Sequence, residues 1–549
     1  MQGRKQHTEK LFLSFQLSER VPEDNFYRRL NGLLDLRWLY KATAKYYGTE
    51  GQQSIDPVVF MKLMLIGYFE NLASDRRIIN TVSMRMDMLF FIGYDIDEPL
   101  PWHSTLSRSR QLYGEEIFRQ LFKDVLKQCI EKGMVAGKRQ AIDSVFVKAN
   151  ASMGSLAEKE VMDDADQYAE ALTEDDEQPG ELKKVTAADE PTTDNPKGDN
   201  NKLTVSKSRH RRTLQHHKWK AKAYKQTPGG KTAAGKANNP EGNEGMLPKF
   251  VSNHTHYSTT DADARVSTKP GKPRQLNYLG QVSVDTANHV ITNIEAHTAD
   301  KRDSQCLSSV VQSTINNLRE EGLTVAEILA DTGYSSGEAL KVLEAKKITG
   351  YIPNMGTYKP VKEGFTYDKE NDRYICTQGA VLPFKKIATT SIGYEIKVYA
   401  SSAKDCTHCP LRSKCIGAKT NTKRITDTPD KAYYDRMQQR MQTAMAKRMK
   451  KLRSSTVEPV IGTLVSYLGM KRVNTRGLKQ ANKCMLMAAA CYNLKKLLKH
   501  NSGKALVSTK TMSKKGEKTL LNFIFTLYYF IHRLTVIKSC PVLQTYNPV

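Results

Sequence analysis

Three acidic side chains occur where an acidic residue is unusual, and together they could hold divalent metal ions. Asp143 lies in the middle of the apolar run RQAIDSVFVK, Asp331 follows the apolar run VAEILA, and Glu458 lies beside the apolar positions of a predicted helix. A buried carboxylate must be paired with a cation or bound to a metal, because burying an unpaired charge is costly. Carboxylates are the ligands that Mg2+ prefers, and such ions serve in phosphoryl transfer.

Each of these acids also has an ordinary structural explanation. Asp143 could end a strand and bond a loop, and Asp331 could bond backbone amides in its Asp-Thr-Gly turn. Ser455 and Glu458 have the spacing of a capping box, and Pro459 after them is typical of a first helical turn. From the residues alone, both kinds of explanation stand at all three positions.

Apolar periodicity predicts the elements that would position the acids. Strand signals at Arg139–Lys148, in a hairpin over 276–298, at Val325–Ala330 and at Ile348–Pro353, separated by helical patterns, predict a mixed α/β sheet with flanking helices. Asp331 would then lie at the carboxyl end of its strand, where open α/β sheets bind their ligands.

Composition and periodicity divide the chain into segments. At 549 residues it is long enough for two or three domains. We predict an all-α N-terminal DNA-binding domain at 1–135, the first part of the α/β core at 136–156 and 247–354, a disordered charged insertion at 157–246, a small Cys-rich insertion at 355–432, core helices carrying Glu458 at 433–500, and a helical tail at 501–549.

The charge of the chain predicts a polyanionic partner. The formal net charge is +26 and the sequence pI is near 9.5, and nucleic acid is the commonest partner for so basic a chain. Around Arg108, a short polar and basic helix capped by Ser104 would suit a helix-turn-helix, and a solvated surface helix is the alternative. The candidate DNA-binding residues are Ser104, Thr105, Arg108, Arg110, Arg453, Lys471, Arg472 and Arg476.

Cysteine usage predicts a reducing compartment, since nine cysteines in so long a chain do not form a secreted disulfide framework. Cys376, Cys406, Cys409 and Cys415 include one Cys-x2-Cys pair, and they form either a structural zinc knuckle or reduced thiols. The N-terminus lacks the apolar core of a signal peptide, and the run Leu520–Ile531 is shorter than the roughly 20 residues that span a bilayer. We therefore expect no membrane partner.

Seven stretches resemble bacterial insertion-sequence transposases of the DDE class, in the group with a helical N-terminal domain. They are VPEDNFYRRLNGLLDL, SIDPVVFMKLMLIGY, PWHSTLSRSR, AIDSVFVKANAS, LADTGYSSGEAL, CTHCPLRSKC and STVEPVIGTL…RGL. The resemblance implies an RNase H-like catalytic core in which Asp143, Asp331 and Glu458 hold two Mg2+ or Mn2+ ions. It implies cleavage of double-stranded DNA at terminal inverted repeats and joining of the 3′ ends to target DNA, within a homodimer in the bacterial cytoplasm, associated with the nucleoid.

The chain departs from this family near the glutamate. Many relatives place a Tyr seven residues and an Arg four residues before it, and a Lys seven residues after it; here these positions hold Lys451, Ser454 and Val465. Arg453, one place away, is the candidate to replace the Arg. The missing Lys leaves open a non-catalytic DNA-binding protein derived from a transposase, and a plain metal-dependent nuclease is a further alternative.

Overall fold

The computed structural model describes residues 16–48, 50, 54–162, 204–206, 252–267, 273–356, 358–390, 394–416 and 420–500. A helical N-terminal region precedes a mixed α/β sheet with flanking helices, which confirms the predicted fold class. Most of the predicted insertion at 157–246, and all of the predicted tail at 501–549, lie outside the described residues. Within the described part of the chain, no helix has the length and apolarity needed to cross a membrane.

The N-terminal region is helical, as its apolar periodicity predicts. Asp56 begins its most buried helix by accepting hydrogen bonds from Val58 N and Val59 N, and Pro57 occupies the first turn. This is the usual role of Pro at a helix start, where its missing N–H has no partner to lose. The helices are α1 Leu17–Arg20, α2 Phe26–Asn31, α3 Trp38–Thr43, α4 Pro57–Phe69, α5 Asp75–Val82, α6 Met86–Ile92, α7 His103–Leu112 and α8 Glu115–Glu131.

The central sheet is built around its first strand. The strands of the sheet are β1 Arg139–Lys148, β6 Arg265–Ser267, β7 Gln275–Asp285, β8 Ile291–Thr298, β9 Glu327–Leu329 and β10 Thr349–Tyr351. Strand β1 pairs antiparallel with β7 over nine residues and parallel with β9. Strand β10 lies parallel beyond β9, and β6 and β8 both pair with the other edge of β7. Two short ladders lie apart from it, with strands β2 Leu156–Glu158, β3 Glu160–Met162, β4 Thr204–Ser206 and β5 His256–Ser258.

The Cys-rich region forms a separate antiparallel sheet with an aromatic core. Tyr374, Leu382, Tyr399 and Ile425 fill it, and the Tyr374 hydroxyl donates to Asp427. Its strands run in chain order and are β11 Phe365–Asp368, β12 Arg373–Cys376, β13 Val381–Thr389, β14 Glu395–Ala400 and β15 Arg424–Asp427. Helices α9 Asp303–Arg319 and α10 Gly337–Ala345 precede this sheet, and α11 Ala403–Thr407 and α12 Arg412–Cys415 lie between its last two strands.

The four cysteines that could form a zinc knuckle are not clustered at one point in the described residues. Among the described residues, which include Cys376, Cys406, Cys409 and Cys415, no group of three or more His, Cys, Asp or Glu side chains is placed to hold a metal ion. Cys376 ends strand β12 and packs beside the aromatic core, and the Cys406 thiol lies 3.1 Å from the Ser401 hydroxyl. Cys376 lies in β12, Cys406 in α11 and Cys415 in α12, whereas Cys409 lies in the loop between these two helices. Tyrosines fill the core of this region, and zinc binding by the four thiols stays a prediction.

One hydrophobic core joins the N-terminal helices to the sheet. The face of β1 that carries Ala141, Val145 and Val147 packs in the same buried cluster as α4, α8 and the last helices of the chain. The opposite face, with Ile142, packs against α9 and α10. The last helices are α13 Lys431–Met441, α14 Ala444–Tyr467 and α15 over 478–500. Lys483 of α15 is buried and donates to the carbonyls of Arg110 and Tyr113, which fixes α7 against the core.

Helix α7 differs from the sequence prediction in two ways. It begins at His103, so Ser104 lies inside its first turn, and no side chain caps it. Arg110, predicted to bind DNA, is buried instead, and its guanidinium contacts both carboxylate oxygens of Asp75. The physical reason is helical phase, because Arg110 lies four residues after the buried Leu106 and so on the same inward face.

This buried pair predicts a stability effect. Asp75→Asn leaves the Arg110 guanidinium buried without its counter-charge, so we expect the free energy of unfolding to fall by about 2–4 kcal/mol, measured by denaturant unfolding. Asp35→Asn is the matched control, because Asp35 and its partner Arg37 have side chains 62% and 86% exposed and their pair should not matter. Equal midpoints for the two variants would contradict the structural role of Arg110.

Candidate active site

The register of two parallel strands brings Asp143 and Asp331 together. Ala141 of β1 pairs with Leu329 of β9, and each aspartate lies two residues further along its own segment. Side chains two residues apart point to the same side of a strand, so both carboxylates lie on the face that packs toward α14. The pKa of Asp143 is raised by burial and also by the negative charge of Asp331, which agrees with this placement.

Asp143 lies in the interior of its strand, so the strand-end explanation is wrong. Its Oδ1 accepts from the Ser144 N–H, and its Oδ2 accepts from Arg453 at 2.8 Å. Asp331 does make the contact expected of an Asp-Thr-Gly turn, because its Oδ1 accepts from Gly333 N at 2.9 Å and begins the short 3-10 helix Thr332–Tyr334. That bond orients the Asp331 carboxylate and leaves its other oxygen for a further partner.

Glu458 lies in the middle of a long helix, so the capping-box explanation is wrong. Helix α14 begins at Ala444, where Thr443 caps it by accepting from Ala446 N. Val457, Val460, Leu464 and Leu468 are buried, as the apolar periodicity predicts, while the Glu458 side chain is 62% exposed at the edge of that face. Pro459 follows inside the helix and has no N–H to donate, which weakens the helix beside Glu458.

Arg453 connects this helix to the sheet. Its Nη1 donates to Asp143 Oδ2 at 2.8 Å, and its Nη2 lies 3.7 Å from Glu458 Oε1. One guanidinium therefore contacts two acids that are far apart in the chain and links Glu458 to Asp143. Arg453 was predicted to bind DNA, but in this structure acids of the site engage it. Val465, at the position where relatives carry Lys, is partly buried against the core.

A fourth acid, Asp303, adjoins the site and was missed by the sequence analysis. A Cβ atom added at Gly333 would lie 3.0 Å from Asp303 Oδ2 and 3.1 Å from Asp331 Oδ1, so both carboxylates lie against the same stretch of backbone. Gln281 donates to Asp303 Oδ1 at 3.0 Å, and the buried Tyr334 hydroxyl donates to Gln281. Asp303 looks like an ordinary first-turn acid in the sequence, and no local signal marks it.

The same hydrogen-bonded chain carries a strongly perturbed tyrosine. The pKa of Tyr334 is raised well above its usual value, first by burial and then by the charges of Asp303, Asp143 and Asp331. Its hydroxyl therefore stays protonated and acts as a donor. This donor fixes Gln281, which in turn fixes Asp303, so the polar groups around Asp331 are held in one arrangement.

The donor set suits a hard divalent cation, because it consists of carboxylates. A cation already lies between Asp143 and Glu458, namely the Arg453 guanidinium. No three acids converge on one point within the described residues. The structure thus brings the three predicted acids to one neighbourhood, with Asp143 and Asp331 adjacent and Glu458 linked through Arg453.

The remaining candidate DNA-binding residues are largely at the surface. Residues 471–473 run beside the end of β1, where Lys148 N donates to Lys471 O and Val473 N donates to Lys148 O. Arg472 also donates to Asn150 at 2.7 Å. Arg108, Lys471, Arg472 and Arg476 are exposed, Ser104 and Thr105 are half-buried, and only Arg110 in this group is buried.

Two segments of the chain match family models of transposases. A transposase domain, DUF772, matches residues 15–112, and a Transposase DDE domain matches residues 375–498, which includes Glu458. No curated protein matches the chain. A solved piggyBac transposase synaptic complex with hairpin DNA is 10% identical, with coverage of 88% of this chain and 77% of that chain and a TM-score of 0.33. The two family matches confirm the resemblance to DDE transposases.

The hydrogen bonds from Tyr334 to Gln281 and from Gln281 to Asp303 predict that loss of the Tyr334 hydroxyl lowers the stability of the protein. Tyr334→Phe leaves the buried Gln281 oxygen without its donor, so we expect the free energy of unfolding to fall by about 1–2 kcal/mol, measured by denaturant unfolding. Tyr467→Phe is the control, since Tyr467 is 67% exposed on α14 and its loss should leave the midpoint unchanged. A Tyr334→Phe variant as stable as wild type would show that Gln281 does not depend on this donor.

Proposed function

Because the chain carries two transposase segments, one of them a DDE domain, we propose that it is a transposase that cuts DNA at the terminal inverted repeats of a mobile element and joins the 3′ ends to target DNA. The observation that carries this proposal is that Asp143 of β1 lies near Asp331, two residues beyond the end of β9, and that Arg453 links Asp143 to Glu458. A homodimer on double-stranded DNA in the bacterial cytoplasm follows from that activity, because both element ends must be handled together.

In this proposal Asp143, Asp331 and Glu458 are the residues that hold Mg2+ or Mn2+. The ions, when bound, lower the pKa of the attacking water or 3′-hydroxyl and stabilise the charge of the phosphoryl group. The chain supplies the positioning: Asp143 is fixed within the central strand, and the Gly333 N–H orients Asp331. Glu458 is the most exposed of the three, so it faces arriving DNA. An in-line displacement needs no covalent protein intermediate, and we assign no Ser or Tyr nucleophile.

The exposed basic residues provide the phosphate contacts in this proposal. Lys471, Arg472 and Arg476 follow α14 at the end of β1, and Arg108 lies on α7. Because α7 is fixed to α15 by the buried Lys483, the surface of the N-terminal region and the acidic site keep one relative arrangement. Phosphate contacts of this kind set the register of a protein on DNA without reading its sequence.

The assignment of the acids predicts loss of chemistry without loss of binding. Asp143→Asn, Asp331→Asn and Glu458→Gln should each abolish cleavage and strand transfer, because a neutral amide is a poor ligand for a hard divalent cation. The assay incubates purified protein with Mg2+ or Mn2+ and a duplex carrying the sequences that flank the coding region in its source DNA. Binding of the same duplex, measured without metal, should stay within about threefold of wild type, because the phosphate contacts are made elsewhere.

A matched control separates site chemistry from general charge effects. Glu338→Gln removes an exposed acid from α10 near the site and should leave cleavage unchanged. Full cleavage by any of the three site variants would refute the assignment of that acid. Wild-type protein that binds the duplex but never cuts it would instead favour the non-catalytic DNA-binding protein, which the Val465 position already suggested.

The surface assignment predicts the salt dependence of DNA binding. Arg108→Ala, Lys471→Ala and Arg476→Ala should each reduce the slope of log affinity against log salt by about one, because each removes one phosphate contact. Fluorescence anisotropy with a labelled duplex over a salt series measures this slope. Lys45→Ala is the control, since Lys45 is an exposed lysine already paired with Glu116. If the slope of log affinity against log salt falls equally in all four variants, the effect reflects the net charge of the protein, and the assigned phosphate contacts are contradicted.

A further inference from the structure

We propose that Arg453 is an exchangeable cation of the active site. In the metal-free chain its guanidinium neutralises Asp143 and Glu458, and a divalent ion that binds these acids displaces it toward DNA phosphate. The inference rests on the proposed function, in which the acids bind metal. It goes further by assigning Arg453 two alternative partners and by coupling metal binding to DNA binding.

The Arg453 guanidinium carries one positive charge but contacts two carboxylates, Asp143 and Glu458. Arg453 donates to Asp143 at 2.8 Å, while its contact with Glu458 is 3.7 Å, longer than a hydrogen bond. Asp331 adds a further negative charge that Asp143 experiences. One monovalent side chain thus faces an excess of negative charge, and a divalent ion at the same place would compensate it better.

The attachment of Arg453 is also weaker than that of a structural arginine. Arg110 is buried and contacts both oxygens of Asp75, which is the fork geometry that makes arginine pairs strong. Arg453 makes one hydrogen bond to one oxygen of Asp143. The Arg453 side chain is 14% exposed, so what distinguishes it from Arg110 is its bonding: a cation that competes for this oxygen has one hydrogen bond to displace.

A destination for the released side chain exists on the same helix. The N-terminal half of α14 carries exposed cations on the turns before Arg453, and these are Lys447, Arg448, Lys450 and Lys451. DNA phosphates that these residues attract would pass close to Arg453. Since arginine binds phosphate through paired N–H donors, displacement from Asp143 converts Arg453 from a partner of the acids into a phosphate contact.

The first test measures metal binding without DNA. Titration calorimetry of the full chain with Mn2+ should show that Arg453→Ala binds the ion about tenfold more tightly than wild type, because the competing cation is gone. Arg453→Gln, measured in parallel, keeps most of the side-chain length without the charge and should shift in the same direction. Arg453→Lys keeps the charge and should stay within about twofold of wild type, as should Lys45→Ala, which removes an exposed lysine of the N-terminal region.

The second test measures the coupling to DNA. Anisotropy with a labelled random-sequence duplex, with Ca2+ replacing Mg2+ and the recovered DNA verified to be intact, should show wild-type affinity rising severalfold when the ion is added. Arg453→Ala and Arg453→Gln should lose this rise, whereas Lys45→Ala should keep it. Linkage requires that the DNA also tighten ion binding by the same factor in wild type.

The outcomes separate this inference from the proposed function. Mn2+ binding that is unchanged or weaker in both Arg453→Ala and Arg453→Gln would overturn the inference, because Arg453 would then assemble the site and not compete for it. A wild-type chain that binds no Mn2+, or an Asp331→Asn variant that binds it as well as wild type, would instead overturn the metal assignment of the proposed function.

Discussion

The site depends on one constraint: the negative charges of Asp143 and Asp331 lie close together and must be compensated by positive charge. Asp143 and Asp331 follow paired residues of β1 and β9, so their carboxylates share one face of the sheet. Burial and mutual repulsion both disfavour ionisation, and the raised pKa of Asp143 records this. The arrangement is tolerable because positive charge lies against it: Arg453 from α14 now, and a divalent ion in the proposed reaction. Hydrogen bonds from Tyr334 to Gln281 and from Gln281 to Asp303 fix the polar side chains next to Asp331.

The pairing of β1 with its two neighbouring strands fixes the positions of these carboxylates. Strand β1 is held on both sides, by β7 over nine pairs and by β9. A slip of one residue would turn Asp143 to the opposite face, away from α14 and into the cluster of Ile142. The hydrophobic core then extends from the sheet into the N-terminal helices. Surface cations on α7 and α14 are therefore carried by the same packed unit as the acids.

Sequence periodicity predicted most elements because a period of two or of 3.6 residues follows directly from burial on one face. It also marked three acids as unusual, since a charge within an apolar pattern is visible locally. Contacts between distant segments were not visible. Asp303 could not be found, because its neighbours Gln281 and Gly333 come from other elements. The prediction that Arg110 binds DNA was wrong, because its spacing of four residues from Leu106 places it on the buried face of α7. The tyrosines that form the core of the Cys-rich region carry no comparable local signal.

The exposure of the three acids suggests how the proposed site would meet its substrate. Asp143 has a side chain 19% exposed, whereas Glu458 is 62% exposed on the helix that covers this face. The site therefore opens along α14, whose first half carries the exposed cations and whose interior carries Pro459. A proline at this position removes a backbone hydrogen bond beside Glu458, so the helix is less constrained next to this acid. A DNA backbone attracted to the basic half of α14 would therefore reach Glu458 before the less exposed Asp143.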